Sequence, residues 1–472
     1  MYAARRWSVR HARGLRSVYQ TLARLAPWLA PLVRLLGRAG AEAVARPVER
    51  AIKGFLFDCR MCGECVLSGT GMACPMNCAK QMRNGPCGGV RADGGCEVDP
   101  QVRCVWLEAM DGAKRIGLSV KEGGALLRPL DHAREGRSSW VPVILSEPPR
   151  AEPPRGGAPI THEPGPLERA CQSGRFVVTV ELAPPDSADP AGFLARADHF
   201  ENLVDAINLT DGAGGNCHMS SVAASAILAA NGHTPIYQVV CRDRNRIAIQ
   251  GDILGAAALG VRNILCLTGD DVSQGDQPQA KPVFDLDATT LLGIARGMRD
   301  AGTFASGRRL EHAPDFFLGA TVNPFVPPHA GRIANLENKV AAGARFIQTQ
   351  FCFDVGRMEA FMRAVRERGL HRRCTILAGV GTLGNAKALQ RMAEKVPGVH
   401  VPRELLERIG RAADPRAESK RAAIGIIRAL SQIEGVGGFH FMGHRNESTL
   451  AEIIVESGLR RCGRAPAAAT GG

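Results

Sequence analysis

Eight cysteines crowd residues 59–104: Cys59, Cys62, Cys65, Cys74, Cys78, Cys87, Cys96 and Cys104, from 15 in a chain of 472 residues. Thiols gathered this densely would cross-link unless a metal or disulfides tied them down. No cleavable signal sequence is read, because the apolar run over residues 22–36 is interrupted by Arg24 and Arg34. A cytoplasmic protein is therefore expected, and in that compartment metal ligation is favoured over disulfides. The two C-x2-C steps Cys59 to Cys62 to Cys65, followed by Cys74-Pro75, resemble a ferredoxin-type ligand run with a longer gap before Cys74. Glycines beside cysteine, as in Cys87-Gly88-Gly89, let backbone N–H groups turn toward sulfur. An iron–sulfur cluster, with 4Fe–4S as one form, is the first reading and zinc alone the alternative. Eight thiols are enough for two four-ligand centres, and spacing does not assign them.

The other reactive candidates depend on the elements that carry them. Short apolar segments at 176–182, 206–210, 235–241, 263–268, 317–322, 346–351, 375–380 and 438–442 alternate with helical patterns such as 336–342, 357–368 and 386–395. That alternation is the count expected of an α/β protein with a (β/α)8 TIM barrel. A doubly wound open sheet is the runner-up. It would carry a Gly-rich loop after its first strand, where this chain has Glu181-Leu182-Ala183-Pro184-Pro185.

Barrel chemistry sits at the C-terminal ends of strands. There fall Glu181, Thr210, Asp211, Arg242, Asp243, Thr268, Gly269, Asp270, Asn323, Gln348, Gln350, Asp354, His440 and His444. Most polar residues at such a rim serve caps and loops. Glu181 differs, because it lies inside an apolar strand; partial burial there disfavours the ionised form and suits a general acid.

The organisation reads as a basic amphipathic helical segment over 1–52, a Cys-rich iron–sulfur or zinc domain over 53–135, a Pro-rich linker over 136–168, the barrel over 169–461 and a disordered tail over 462–472. Ten arginines within the first 50 residues supply much of the net charge of +13. With aromatics at 5% there is little to stack on bases, so nucleic acid is not an expected partner. No apolar run reaches the roughly 20 residues of a membrane span. Leu22, Leu25, Trp28, Leu29, Leu32, Leu35 and Leu36 fall at helical spacing. The first reading is a helix packed on its own protein; a membrane-surface or partner-docking helix and an organellar targeting peptide are the others. The remaining cysteines read mostly as small buried hydrophobes.

The barrel segment resembles methylenetetrahydrofolate reductase over essentially its whole length. The resemblance rests on Val180-Glu181-Leu182-Ala183-Pro184-Pro185, Leu267-Thr268-Gly269-Asp270, the stretch 335–344 from Asn335 to Ala344, and Gly438-Phe439-His440-Phe441. Its most specific part is Thr349-Gln350-Phe351-Cys352-Phe353-Asp354. The cysteine segment looks like the domain called the methylenetetrahydrofolate reductase C-terminal domain, a partner subunit in acetogen-type enzymes that here precedes the barrel. The resemblance implies a flavoenzyme, with FAD or FMN, that interconverts 5,10-methylene- and 5-methyltetrahydrofolate. Electrons would come from NAD(P)H or through the Cys-rich domain, with an electron-donor protein and a homo-oligomer as further expected partners. By motif, Glu181 is the acid that helps open the folate's five-membered ring, and Asp270 lies near flavin and pterin. Gln350, Phe439 and His440 meet the folate. Thr210, Thr268 and Gly269 line the flavin, and Asn335 and Lys339 take its phosphate or ribitol side.

Three departures stand out: Thr268 replaces the family's common Arg, Gln238 its His, and residues 379–385 lack the Phe that stacks between flavin and nicotinamide. FAD against FMN, and the direct donor, stay open. Two other functions stay open as well. One is a pterin-dependent methyltransferase or corrinoid-coupled module, and the other a non-catalytic zinc scaffold for a separate reductase; bound flavin would discriminate against both.

Overall fold

Period-two alternation decides which side chains meet inside the barrel. The computed structural model describes residues 2–118, 127–147, 163–396, 399–443 and 445–460. Its strands are β1 (Val177–Leu182), β2 (Ala206–Leu209), β3 (Pro235–Val240), β4 (Asn263–Leu267), β5 (Phe317–Val322), β6 (Phe346–Phe351), β7 (Thr375–Gly381) and β8 (Val436–Met442). All neighbours pair in parallel and the ring closes in chain order, β8 against β1. Each expected strand is present. The last begins at Val436 rather than Gly438, because Gly437 and Gly438 have no side chains with which to show the alternation.

Val177, Ala206, Ile236, Leu265, Phe317, Phe346 and Leu377 make an apolar floor inside the ring. Helix α6 (Pro166–Gln172) seals it, with Leu167 and Ala170 packed into the same cluster. Two residues further along their strands come Thr179, Asn208, Gln238, Gln348 and His440, all buried. The barrel is therefore apolar below and polar in the middle. Residues of opposite parity, such as Val178, Val180, Ile207 and Phe439, join the larger core under the surrounding helices. Those helices are α7 (Ala191–Asp198), α8 (Ser221–Ala230), α9 (Arg246–Ala258), α10 (Ala288–Asp300), α11 (His329–Ala342), α12 (Val355–Glu367), α13 (Ala386–Lys395), α14 (Arg403–Gly410), α15 (Pro415–Leu430) and α16 (Glu447–Glu456).

Ahead of the barrel lie α1 (Tyr2–Arg10), α2 (Ala12–Leu25), α3 (Ala30–Phe57), α4 (Val105–Arg115) and the short α5 (Trp140–Ile144). A buried ion pair, Arg5 Nε to Glu108 Oε2 at 3.0 Å, fastens α1 to α4. Ala26, Val33 and Ala41 pack on Val141 and Ile144 of α5. The stretch expected to be a linker thus has packed helices, α5 and α6, near both ends; residues 148–162 and the expected tail lie outside the described residues. The reading of the N-terminal leucines as packing on their own protein is corrected. Leu22, Leu25, Trp28, Leu29, Leu32, Leu35 and Leu36 are all exposed, because the helices use their opposite face for internal packing. No helix among the described residues is long and apolar enough to cross a membrane.

Removing the floor's seal tests this architecture. Leu167→Ala opens a cavity at a fully buried position and should lower unfolding stability by about 2–5 kcal/mol, read as a reduced urea midpoint with the far-UV spectrum retained. An unchanged midpoint would show that α6 does not close the barrel.

Candidate functional site

Glu181 continues the inward series of β1 after Val177 and Thr179, and its side chain is 27% exposed at the opening. It is less enclosed than its apolar strand suggested. The pairing of β1 with β8 sets Thr179 beside His440. Thr179 Oγ1 lies 3.0 Å from His440 Nδ1 and donates to the Phe439 carbonyl at 3.5 Å. With the hydroxyl hydrogen used there, Nδ1–H is the donor to threonine, so Nε2 is left facing Glu181 Oε2 at 3.9 Å. That separation is longer than a direct hydrogen bond. Phe439, the other residue expected at the folate, does not join them. One residue out of phase with His440, it points into the helix layer and stacks on Phe176 with centroids 5.7 Å apart.

Below the opening, Asn208 Nδ2 donates to Gln348 Oε1 at 3.3 Å. Asn208 Oδ1, Gln348 Nε2, Thr210 Oγ1 and Arg242 Nη1 are buried without a partner among the described residues. Buried polar atoms are nearly always satisfied, so these four stand out as groups able to bond a polar ligand. Neither Asn208 nor Arg242 was singled out as a ligand contact in the sequence. For Asn208 the available signal was a polar residue two positions beyond the apolar floor residue Ala206, and Arg242 already stood among the strand-end candidates. Gln350 turns back, with its Oε1 accepting from the Phe351 amide at 3.0 Å.

The end of β4 meets the cysteine module. Thr268 Oγ1 accepts from Ala288 N at 3.3 Å, and exposed Asp270 accepts from Gly214 N at 3.1 Å. Gly269 has φ +99°, and a Cβ there would sit 2.9 Å from Arg242 Cβ; only glycine fits such a turn. Its carbonyl accepts from Lys80 Nζ at 2.8 Å, and buried Lys80 also pairs with Glu97 at 2.5 Å. Asp287 Oδ2 accepts from the Arg83 and Asn84 amides at 3.3 and 3.1 Å. Arg332 Nη1 donates to the Cys87 carbonyl at 2.5 Å and Asn335 Nδ2 to the Asn84 carbonyl at 3.4 Å. Lys339 Nζ donates to the Thr321 carbonyl at 2.8 Å. Burial, and then the Arg332 charge, pull its ammonium down to about 8. Asn335 thus lies under the module's loop, and Lys339 is half-buried one turn further along α11. The structure does not bring these two out onto the open mouth with Glu181.

The eight cysteines divide in space. Cys59, Cys62, Cys65 and Cys74 line one cleft with Lys53, Met61 and Arg83. Cys78, Cys87, Cys96 and Cys104 form a second neighbourhood, in which the thiols act electrostatically on one another and Lys80 and Arg332 stand near. Burial pushes the Cys78 thiol up to about 11 and the Cys74 thiol up to about 12. As they stand, no three Cys, His, Asp or Glu side chains among the described residues are gathered closely enough to hold a metal ion. None of the described cysteines is in a disulfide. Cys241, Cys266, Cys352 and Cys374 are buried in the barrel, whereas Cys217 is exposed; His444 and Cys462 lie outside the described residues.

Residues 166–458 match the family described as methylenetetrahydrofolate reductase, and residues 39–131 the one described as methylene-tetrahydrofolate reductase C terminal. A 5,10-methylenetetrahydrofolate reductase of Pectobacterium carotovorum subsp. carotovorum is 26% identical over 279 residues, covering 57% of this chain and 85% of that protein. A probable methylenetetrahydrofolate reductase (NADPH) of Caenorhabditis elegans is 25% identical over 248 residues, 51% of this chain and 34% of that protein's length. Among solved structures, an uncharacterized protein from Clostridium thermocellum that binds two copies of 5-methyl-5,6,7,8-tetrahydrofolic acid matches with TM-score 0.42 and 13% identity, covering 60% of this chain and 94% of that one.

His132 provides a pH-dependent test of the module's docking. Its Nε2 lies 3.1 Å from Asp285 Oδ1, and Asp285 also binds Arg246 of the barrel. Burial lowers the imidazole's affinity for a proton, but hydrogen bonds to Glu135 and Asp285 outweigh this and hold His132 above its ordinary value. A raised folded-state value adds stability that is complete below the unfolded value and lost as pH rises through the folded one. The urea midpoint of the native chain should therefore exceed that of His132→Phe below about pH 6.5, and the gap should close at higher pH. A gap unchanged up to about pH 9 would rule the contact out.

Proposed function

Because this chain belongs to the methylenetetrahydrofolate reductase family, we propose that it interconverts 5,10-methylene- and 5-methyltetrahydrofolate with a flavin held in the barrel mouth, its electrons entering through the cysteine module. The observation that carries this reading is the seating of the Cys78, Cys87, Cys96 and Cys104 neighbourhood on the rim of the mouth, through Lys80 to Gly269 and Arg332 to Cys87. A module that only braced the barrel would have no need to cover the strand ends.

The mouth suits a flavin and a pterin. Both present edges of alternating hydrogen-bond donors and acceptors, and Thr210 Oγ1, Asn208 Oδ1, Gln348 Nε2 and Arg242 Nη1 are buried there and unsatisfied. A reduced flavin in this place would supply hydride. Glu181 holds the proton at Oε2 and delivers it to the folate amine as the five-membered ring opens. His440, with Nδ1 fixed by Thr179, keeps Nε2 within 3.9 Å of that oxygen. Asp270, exposed at the rim, offers negative charge to the cationic folate that results. Thr268 and Gly269 shape the β4 turn beside it.

The thiols suit a metal centre by their chemistry. Burial raises Cys78 to about 11 and Cys74 to about 12, so these two stay neutral until a metal ion displaces their protons. Lys80 and Arg332 at one set, and Lys53 and Arg83 at the other, offset thiolate charge once it forms. An iron–sulfur centre on such thiolates would supply one-electron transfer.

Anaerobic purification followed by flavin identification and iron, sulfide and zinc analysis tests the reading directly. Flavin together with iron and sulfide is expected. Zinc without flavin, and no methylenetetrahydrofolate turnover with any donor, would leave a scaffold instead. If NADH alone bleaches the flavin, entry through the cysteines is wrong. Glu181→Gln should lower kcat about 10²- to 10⁴-fold with the flavin spectrum unchanged, and normal turnover in that variant would remove Glu181 from proton transfer.

A further inference from the structure

Helices α2 and α3 are joined by a short 3-10 turn, Ala26–Leu29, and an apolar face runs across the join in solvent. Leu22, Leu25, Trp28, Leu32 and Leu35 stand in solvent on it, Trp28 at 82% and Leu35 at 84% exposure. Val44, Val48, Ile52 and Phe55 are exposed further along α3, at successive spacings of four, four and three residues that keep them on one side of the helix. The other side is spent on Ala26, Val33 and Ala41 against Val141 and Ile144. Folded proteins rarely leave large side chains exposed at this density without something to cover them.

Charge tells which cover fits. No acidic residue precedes Glu42 in the sequence. Glu42 is engaged by the Ser138 amide, and Glu49 is buried against Lys53 at 2.6 Å. Arg24, Arg34, Arg46 and Arg50 are exposed, with no ion pair among the described residues. A second copy would set these arginines against their own equivalents, a repulsive arrangement. A straight helical partner would also lose its seam, because the 3-10 turn and Gly37, at φ 67°, break the helix twice. Arg38 is paired with Glu147 at 2.6 Å, but leucine and tryptophan beside four exposed arginines without an ion pair among the described residues match the boundary layer of a bilayer that carries negative headgroups.

We propose that the join of α2 and α3 rests in the headgroup layer of an anionic membrane, its apolar side inserted and its arginines on lipid phosphates. With no described helix able to cross a bilayer, the attachment lies in the plane of one leaflet. It is peripheral, reversible and sensitive to salt.

Flotation of the full-length chain tests this. The protein should rise with phosphatidylcholine vesicles that contain phosphatidylglycerol, stay down with phosphatidylcholine alone, and be released by raised salt. On the anionic vesicles its emission should shift to the blue, and Trp28→Phe should remove most of the shift. The Leu25→Glu/Leu35→Glu variant changes only exposed positions and should keep its far-UV spectrum while losing flotation. Arg34→Gln/Arg46→Gln should weaken partitioning about fivefold per arginine. Failure to float on phosphatidylglycerol vesicles at low salt, or equal flotation of the leucine variant, overturns the proposal. So does a dimer that Leu25→Glu/Leu35→Glu dissociates in the absence of lipid binding, which would give the face to a second copy.

Discussion

The buried carboxylate of Asp287 takes hydrogen bonds from both halves of the molecule. It caps α10 by accepting from Thr290 N at 2.9 Å, and its other oxygen accepts from the backbone amides of Arg83 and Asn84. A carboxylate this enclosed is tolerable only when several donors converge on it. Here the donors come from both the barrel and the cysteine module, so neither surface is complete alone. With the loop around Asn84 fixed in this way, Gly85 approaches Asn335 closely enough that a Cβ would lie 3.0 Å from its amide nitrogen. Lys80 then reaches the Gly269 carbonyl and Arg332 the Cys87 carbonyl. The second set of thiols is thereby held at the ends of the strands where barrel chemistry takes place.

Inside the barrel, a second constraint follows from the pleat. Each inward strand position is either floor, polar ring or mouth, two residues apart. Packing demands that the floor be apolar and filled, which Phe317 and Phe346 do with rings stacked 5.2 Å apart. The ring above is Thr179, Asn208, Gln238, Gln348 and His440, and it would be a poor core for stability alone because Asn208 Oδ1 and Gln348 Nε2 lack partners among the described residues. Stability given up there is regained where a ligand brings the missing donors and acceptors. The same logic separates Glu181 from the many carboxylates that merely cap or pair, such as Asp211, which accepts from Val240 N and binds Arg244.

The thiols and the exposed N-terminal face belong to one half of the molecule. The first thiol cleft shares Glu49 and Lys53 with α3, the helix whose far side carries Val44, Val48 and Ile52 into solvent. Charge changes from unpaired arginines outside to the Lys80 and Glu97 pair within.

Local repetition was legible in the chain. Eight short apolar segments alternating with helical patterns declared the barrel, and Glu181 announced itself as a carboxylate out of place in such a segment. Glycine hid what depends on side chains, which is why the start of β8 at Val436 was missed. Parity was harder to read, since a strand buried on both faces gives no sign of which side looks inward; hence His440 and Phe439 seemed equivalent until the register placed them on opposite faces. The division of eight cysteines into two sets, the covering of Asn335 and the orphaned atoms of Asn208 and Gln348 depend on residues brought together from distant parts of the chain. Periodicity is a property of neighbours along the backbone and can be read there. Which face meets which, and which polar atom is left over, exists only after the chain has closed on itself.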